Sequence, residues 1–201
     1  MKKLILFPFI VLTILLFSFT NASSQYYCPN STPGCTVWQT YIQSMPFIMD
    51  DGTVCLGAIF ACKRCCGNLV QFYIDTVMFD EGCVYSHPIG LNGSSFHNQV
   101  STHLLSNLSL CGATIPLCDE QSNIIATISY APCYKWGTPI YTVGGTKRPL
   151  IACNNEIGCS ENYTVCWDGT KFIWTLVSQS YSAVCPTSPG YDVCFGVCLN
   201  P

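Results

Sequence analysis

Residues 162–177 read NYTVCWDGTKFIWTLV, two alternating runs around Asp168-Gly169. Asp-Gly supplies the positive-φ positions of a two-residue hairpin turn, and the flanking aromatic and β-branched residues are strand formers. A two-residue loop predicts pairing of Trp167 with Thr170, Val165 with Phe172 and Tyr163 with Trp174. Successive side chains in a strand point to opposite faces, so Tyr163, Val165, Phe172, Trp174 and Leu176 are expected to face the core. Asn162, Thr164 and Lys171 are expected to face water. Cys166 falls on the wetter side, so its bridge should reach across the outer face to a covering loop or arm.

The same pattern recurs outward from this hairpin. Thr36 to Met49 suits a short amphipathic helix or a strand, and Pro46, which interrupts a helix, favours a strand leading into a second hairpin around Asp51-Gly52; a third hairpin is expected around Asp80-Glu81-Gly82. Leu69 to Phe79 and Asn123 to Tyr130 read as strands, Ile140 to Val143 and Leu150 to Cys153 as shorter ones. Ser180 to Cys185 and Tyr191 to Cys198 are expected to be short terminal strands. His87 to Asn98 is rich in Gly, Asn, Ser and Pro and reads as a wide surface loop. Val100 to Leu110, with apolar Val100, Leu104, Leu105 and Leu108, is the best helix candidate. Many short strands separated by Gly and Pro predict a mainly β fold, a disulfide-rich antiparallel sandwich, meander or irregular barrel with at most one or two short helices.

Residues 1–24 have the form of a signal peptide: Lys2 and Lys3, an apolar run from Leu4 to Phe19, then small polar residues. The run is shorter than the roughly 20 residues a bilayer span needs and contains Pro8. Cleavage after Ser24, or alternatively after Ala22, leaves a mature chain without a membrane span and places the protein outside the cell or on its surface. All sixteen cysteines follow the leader, an even number suited to an oxidised extracellular framework. Residues 25–201 are expected to form one disulfide-tied β domain, with any subdivision near 111–121.

Charged residues make up only 9% of the chain and the net charge is −3, which becomes −5 when Lys2 and Lys3 leave with the leader. Phosphate binding needs clustered Lys and Arg, so nucleic acid is not an expected partner. Four sequons, at Asn30, Asn92, Asn107 and Asn162, are candidate N-glycosylation sites of a glycoprotein.

Catalytic signatures do not emerge. His87, His97 and His103 lack the spacing of a zinc-binding helix, no GxSxG elbow is present, and the acidic pairs fall at turns. Cys62, Cys65 and Cys66 flank Lys63 and Arg64 in a pattern that suits a redox pair or half a zinc site, but an exported chain favours structural bridges, with adjacent Cys65 and Cys66 stapling two different segments. No metal, cofactor or catalytic residue is assigned. Tyr134, Trp136 and Tyr141 form the candidate binding patch, because Tyr and Trp stack on sugars or fill a partner's pockets. The sequence therefore points to a secreted or surface structural or interaction protein without enzymatic activity, binding a protein or carbohydrate or associating with itself. The alternative is a toxin, inhibitor or effector that presents the loop His87 to Asn98 from a rigid disulfide frame.

Overall fold

The computed structural model describes residues 28–86, 93–107, 111–112, 115–120, 124–153, 156–181 and 195–196. The leader, the sequon at Asn92 and the expected strands at 182–185, 191–194 and 197–198 lie outside the described residues. Among the described residues ten strands form one sheet: β1 (Gln39–Ile48), β2 (Val54–Cys66), β3 (Leu69–Asp80), β4 (Ile124–Tyr130), β5 (Cys133–Trp136), β6 (Ile140–Thr142), β7 (Gly145–Ala152), β8 (Cys159–Trp167), β9 (Phe172–Tyr181) and β10 (Phe195–Gly196). Two helices, α1 (Glu81–Ser86) and α2 (Gly93–Ser106), lie between β3 and β4. The domain is mainly β and disulfide-rich, and its sheet is irregular and unclosed.

The sheet forks at β3. One side of β3 pairs along its length with β2. Its other side pairs first with β4, through Val70 to Ile74, and then with β7, through Thr76 to Asp80. One branch continues as β4-β8-β9 and the other as β7-β5-β10, with β6 attached to β7. The β3–β4 pair is parallel, the one departure from the expected antiparallel pattern among the named strand pairs, and the helical connection between the two strands is what a parallel crossover requires. Because β3 and β4 pair directly, the two sides of residues 111–121 share a sheet.

A bulge at Asp75 explains how β3 serves both branches. Ala61 pairs with Ile74 and Phe60 with Thr76, which leaves Asp75 as the extra residue. Val77 and Phe79 are thereby carried to the face already occupied by Phe72 and Ile74. This face, with Met45, Phe47, Ile59, Ala61, Ile128, Tyr130 and Leu150, meets Phe96, Val100, Leu104 and Leu105 of α2 in one core. Phe47 stands at the centre, 4.8 Å from the Phe79 ring and 6.1 Å from that of Phe96.

Two expected loops are helical instead. The third hairpin does not form, since β3 ends at Asp80 and α1 begins at Glu81, where a first-turn carboxylate favours a helix start. Helix α2 begins at Gly93, so residues 93–98 of the expected presenting loop are helix, and Phe96 and His97 are buried. The spacing of Phe96, Val100 and Leu104 at i, i+4 and i+8 carries the helical signal despite poor helix formers around it.

The hairpin at 162–181 forms with a longer loop than expected. Trp167 pairs with Phe172, Val165 with Trp174 and Tyr163 with Leu176. Asp168 is the cause: its Oδ1 accepts bonds from Thr170 N, Thr170 Oγ1 and Lys171 N, all at 2.8 Å, which closes a four-residue loop with Gly169 at φ 97°. Register shifts by two residues, so each side chain keeps its expected face. Val165 is buried and Tyr163 and Trp174 pack against the core, but Phe172 and Leu176 are exposed because β9 ends the sheet.

Candidate functional site

The hairpin β1–β2 buries one face and leaves the other open. Odd-numbered Met45 and Phe47 enter the core, so even-numbered residues of β1 point outward, opposite even-numbered residues of β2. Ile48 pairs with Val54, Pro46 with Leu56 and Ile42 with Phe60. Ile42, Ile48, Val54 and Leu56 are 57%, 56%, 60% and 64% exposed. The face holds no charged residue from Gln39 to Ile48 or from Val54 to Cys62. It is an apolar, uncharged sheet surface.

The three candidate patch aromatics are not a common surface. Tyr134 is fully buried and its hydroxyl donates to the Ile74 carbonyl at 2.6 Å. Trp136 is half-buried, edge-on to Phe79 at 5.8 Å, with the Arg148 guanidinium 5.9 Å from its ring. Only Tyr141, 85% exposed on β6, is free to meet a partner.

Cys62 and Cys66 are bridged to Cys28 and Cys35 of the N-terminal arm, and Cys65 to Cys111 of a second segment. Alternation along β2 sends Cys62 and Cys66 to one face and Cys65 to the other, so the cluster ties the N-terminal arm to one side and the segment following α2 to the opposite side. Arg64 reinforces the arm: its guanidinium lies over the Trp38 ring at 4.2 Å, Nη2 donates to Thr32 Oγ1 and Nε to Gln71 Oε1. Cys55–Cys83 and Cys118–Cys166 are further bridges, and among the described residues no cysteine is free. Cys166 lies on the face opposite Val165, but its bridge does not cross the outer face to a covering arm: Cys118 belongs to a segment that pairs edge-on with β8, where Trp167 N donates to Pro116 O at 2.9 Å and Cys118 N to Trp167 O at 3.2 Å.

Of the described sequons, Asn30 and Asn107 are exposed. Asn107 follows α2, and its amide donates to the His103 carbonyl. Asn162 is half-buried on the sheet, where it accepts from Thr127 Oγ1 at 2.7 Å and donates to Ser178 Oγ at 3.0 Å. A glycan on that nitrogen would have to disrupt the bond to Ser178.

One polar cluster lies inside the core, between α2 and the β4–β8 pair. Glu161 Oε2 accepts from Ser101 Oγ at 2.6 Å and from Tyr163 OH at 2.8 Å, and Ser101 Oγ is 2.7 Å from Tyr130 OH. His97, one helical turn before Ser101, stacks on Tyr130 at 4.0 Å with Nδ1 3.6 Å from Glu161 Oε1. Burial lowers the His97 pKa to about 4, opposed in part by Glu161. Burial and the Glu161 charge raise Tyr130 well above the usual phenol value. The serine hydroxyl faces a carboxylate and a tyrosine, all buried, so the cluster acts as a polar lock between helix and sheet. Nothing in the sequence pairs Ser101 with Glu161; only i, i+4 spacing joins His97 to Ser101.

Among the described residues no group of His, Cys, Asp and Glu could hold a metal ion, and no helix is long and apolar enough to cross a membrane. No protein-family model, no curated protein and no solved structure matches this chain.

Proposed function

We propose that this chain is a secreted or surface-exposed interaction protein without enzymatic activity, and that the outer face of β1–β2 is where it binds. The observation that carries this reading is the uncharged apolar surface of Ile42, Pro46, Ile48, Val54 and Leu56, held in register by strand pairing. Such a face costs solubility unless a partner uses it. The disulfides brace the frame that displays it, and the leader and sequons support export into an oxidising space where such bridges persist. The partner is a protein, a carbohydrate or another copy of the chain, and any carbohydrate contact would draw on the exposed Tyr141.

The test places a photo-crosslinking side chain at Leu56 and, as a comparison, at Tyr141 in the exported, oxidised protein. A saturable product from position 56 that disappears when Ile42→Lys and Ile48→Lys are introduced supports the reading. Equal labelling with and without the two lysines would sink it. Export itself is tested by N-terminal sequencing of protein recovered from the medium of a secretory host, with Gln25 or Ser23 expected as the first residue.

A further inference from the structure

Strands β1 and β9 end the path β1-β2-β3-β4-β8-β9, each ten residues long and without a charged residue. Edge strands invite pairing with other chains, and proteins usually blunt them. The two edges differ sharply in this respect.

The edge of β1 is closed. Met49 N donates to Thr53 O at 2.8 Å, which makes that pair hydrogen-bonded and turns the backbone groups of Ile48, Pro46 and Ser44 outward. Gln99 of α2 takes both groups of Ile48, accepting from its N–H at 2.6 Å and donating to its carbonyl at 2.9 Å. The His103 ring lies against the Ser44 backbone, and Pro46 has no N–H to offer.

Among the described residues the edge of β9 is open. Asp168 N donates to Lys171 O, and both backbone groups of Trp167 are turned toward Pro116 and Cys118, away from β9. Trp167–Phe172 is therefore a non-hydrogen-bonded pair, and the alternation turns the N–H and C=O of Phe172, Trp174 and Leu176 outward. No described residue pairs with them. Phe172 and Leu176 are 52% and 42% exposed, and the stretch has no proline. A bulge opposite Asn162 and Tyr163 ends the straight part of the strand after Leu176.

We propose that this edge pairs antiparallel with the same edge of a second copy, about a two-fold axis at Trp174. The sequence Phe172-Ile173-Trp174-Thr175-Leu176 suits that arrangement. Trp174 meets the Trp174 of the other copy, Phe172 meets Leu176, and Ile173 meets Thr175. The three outward-facing residues then form reciprocal pairs with about six backbone hydrogen bonds. A negatively charged chain brings no like charges together at this strand, so a second copy fits without repulsion. An interface of this type is self-complementary, as two-fold dimers require. Five paired residues bury less than a standard interface, so the dimer belongs to the weak, concentration-dependent class. The inference concerns a different element from the β1–β2 face and does not rest on that face being used.

The test is sedimentation velocity on the oxidised protein from low micromolar to submillimolar concentration. A monomer–dimer equilibrium is expected. Leu176→Pro removes an N–H that the β8–β9 ladder does not use, and should weaken the dimer about tenfold or more, because symmetry deletes the bond twice. Phe172→Lys, which leaves the backbone intact, should weaken it likewise. Both variants should keep the wild-type disulfide map, and Leu56→Lys should leave the dimer unchanged. A protein that stays monomeric throughout, or a dimer that tolerates both β9 variants, overturns the proposal. Loss of the dimer with Leu56→Lys but not with the β9 variants would place the contact on β1–β2 and overturn it as well.

Discussion

Glu161 is one point where α2 and the sheet meet, and its surroundings give the protein a measurable response to acid. An unfolded histidine titrates near 6.5, while buried His97 titrates at about 4. Below pH 6.5 the unfolded chain binds a proton that the folded chain refuses, so stability falls as pH drops from 6.5 to 4 and then levels off. The expected loss is about 3 kcal/mol. Urea unfolding across this range should show it, and His97→Gln should flatten the profile. Gly158 offers a second residue-scale test. A Cβ there would lie 2.3 Å from Pro132 Cα, backbone that cannot yield, so Gly158→Ala should destabilise by about 3 kcal/mol or prevent folding. Thermal unfolding of the purified variant, or its failure to be exported, is the readout. Neither position stands out in the sequence. His97 reads as an ordinary polar residue of a loop, and Gly158 as one more turn glycine, because each owes its role to a segment far away in the chain.

At the scale of elements, the strands with alternating patterns were legible. β4, β8 and β9 lie where alternation places them, since a half-buried strand must alternate whatever its neighbours are, whereas β1 follows from Pro46, which interrupts a helix, and β3 from its hydrophobic run. Pairing details depended on side-chain chemistry at the turns. Asp168 built the longer loop, and the two-residue change in register preserved the faces because side-chain direction repeats every two residues. The helices were harder to read, as their Ser, Thr and Asn content gives weak propensity and burial of Phe96, Val100 and Leu104 supplies the stability instead. Gln99 ties α2 to the edge of β1. Gln99→Ala should cost about 1–2 kcal/mol in urea unfolding and accelerate hydrogen exchange at the Ile48 amide, which loses its acceptor. Unchanged protection at Ile48 would mean that the edge is closed by some other group.

For the molecule as a whole, the bridges form a testable map. Non-reducing peptide mapping should link Cys28 with Cys62, Cys35 with Cys66, Cys55 with Cys83, Cys65 with Cys111 and Cys118 with Cys166. A bridge between Cys62 and Cys65 would contradict the arrangement of β2 and restore a redox reading of that cluster. From the sequence alone came the β class, the cysteine-rich frame, the hairpin at Asp168-Gly169 and the faces of its strands. These follow from local rules: backbone alternation, turn chemistry and composition. Tertiary structure alone decided the fork at β3, the parallel β3–β4 pair, the burial of Tyr134, the Glu161 cluster and the contrast between a closed β1 edge and an open β9 edge. Each of these depends on which distant segments meet, and that is set by packing of the whole core and by disulfide partners that spacing does not reveal.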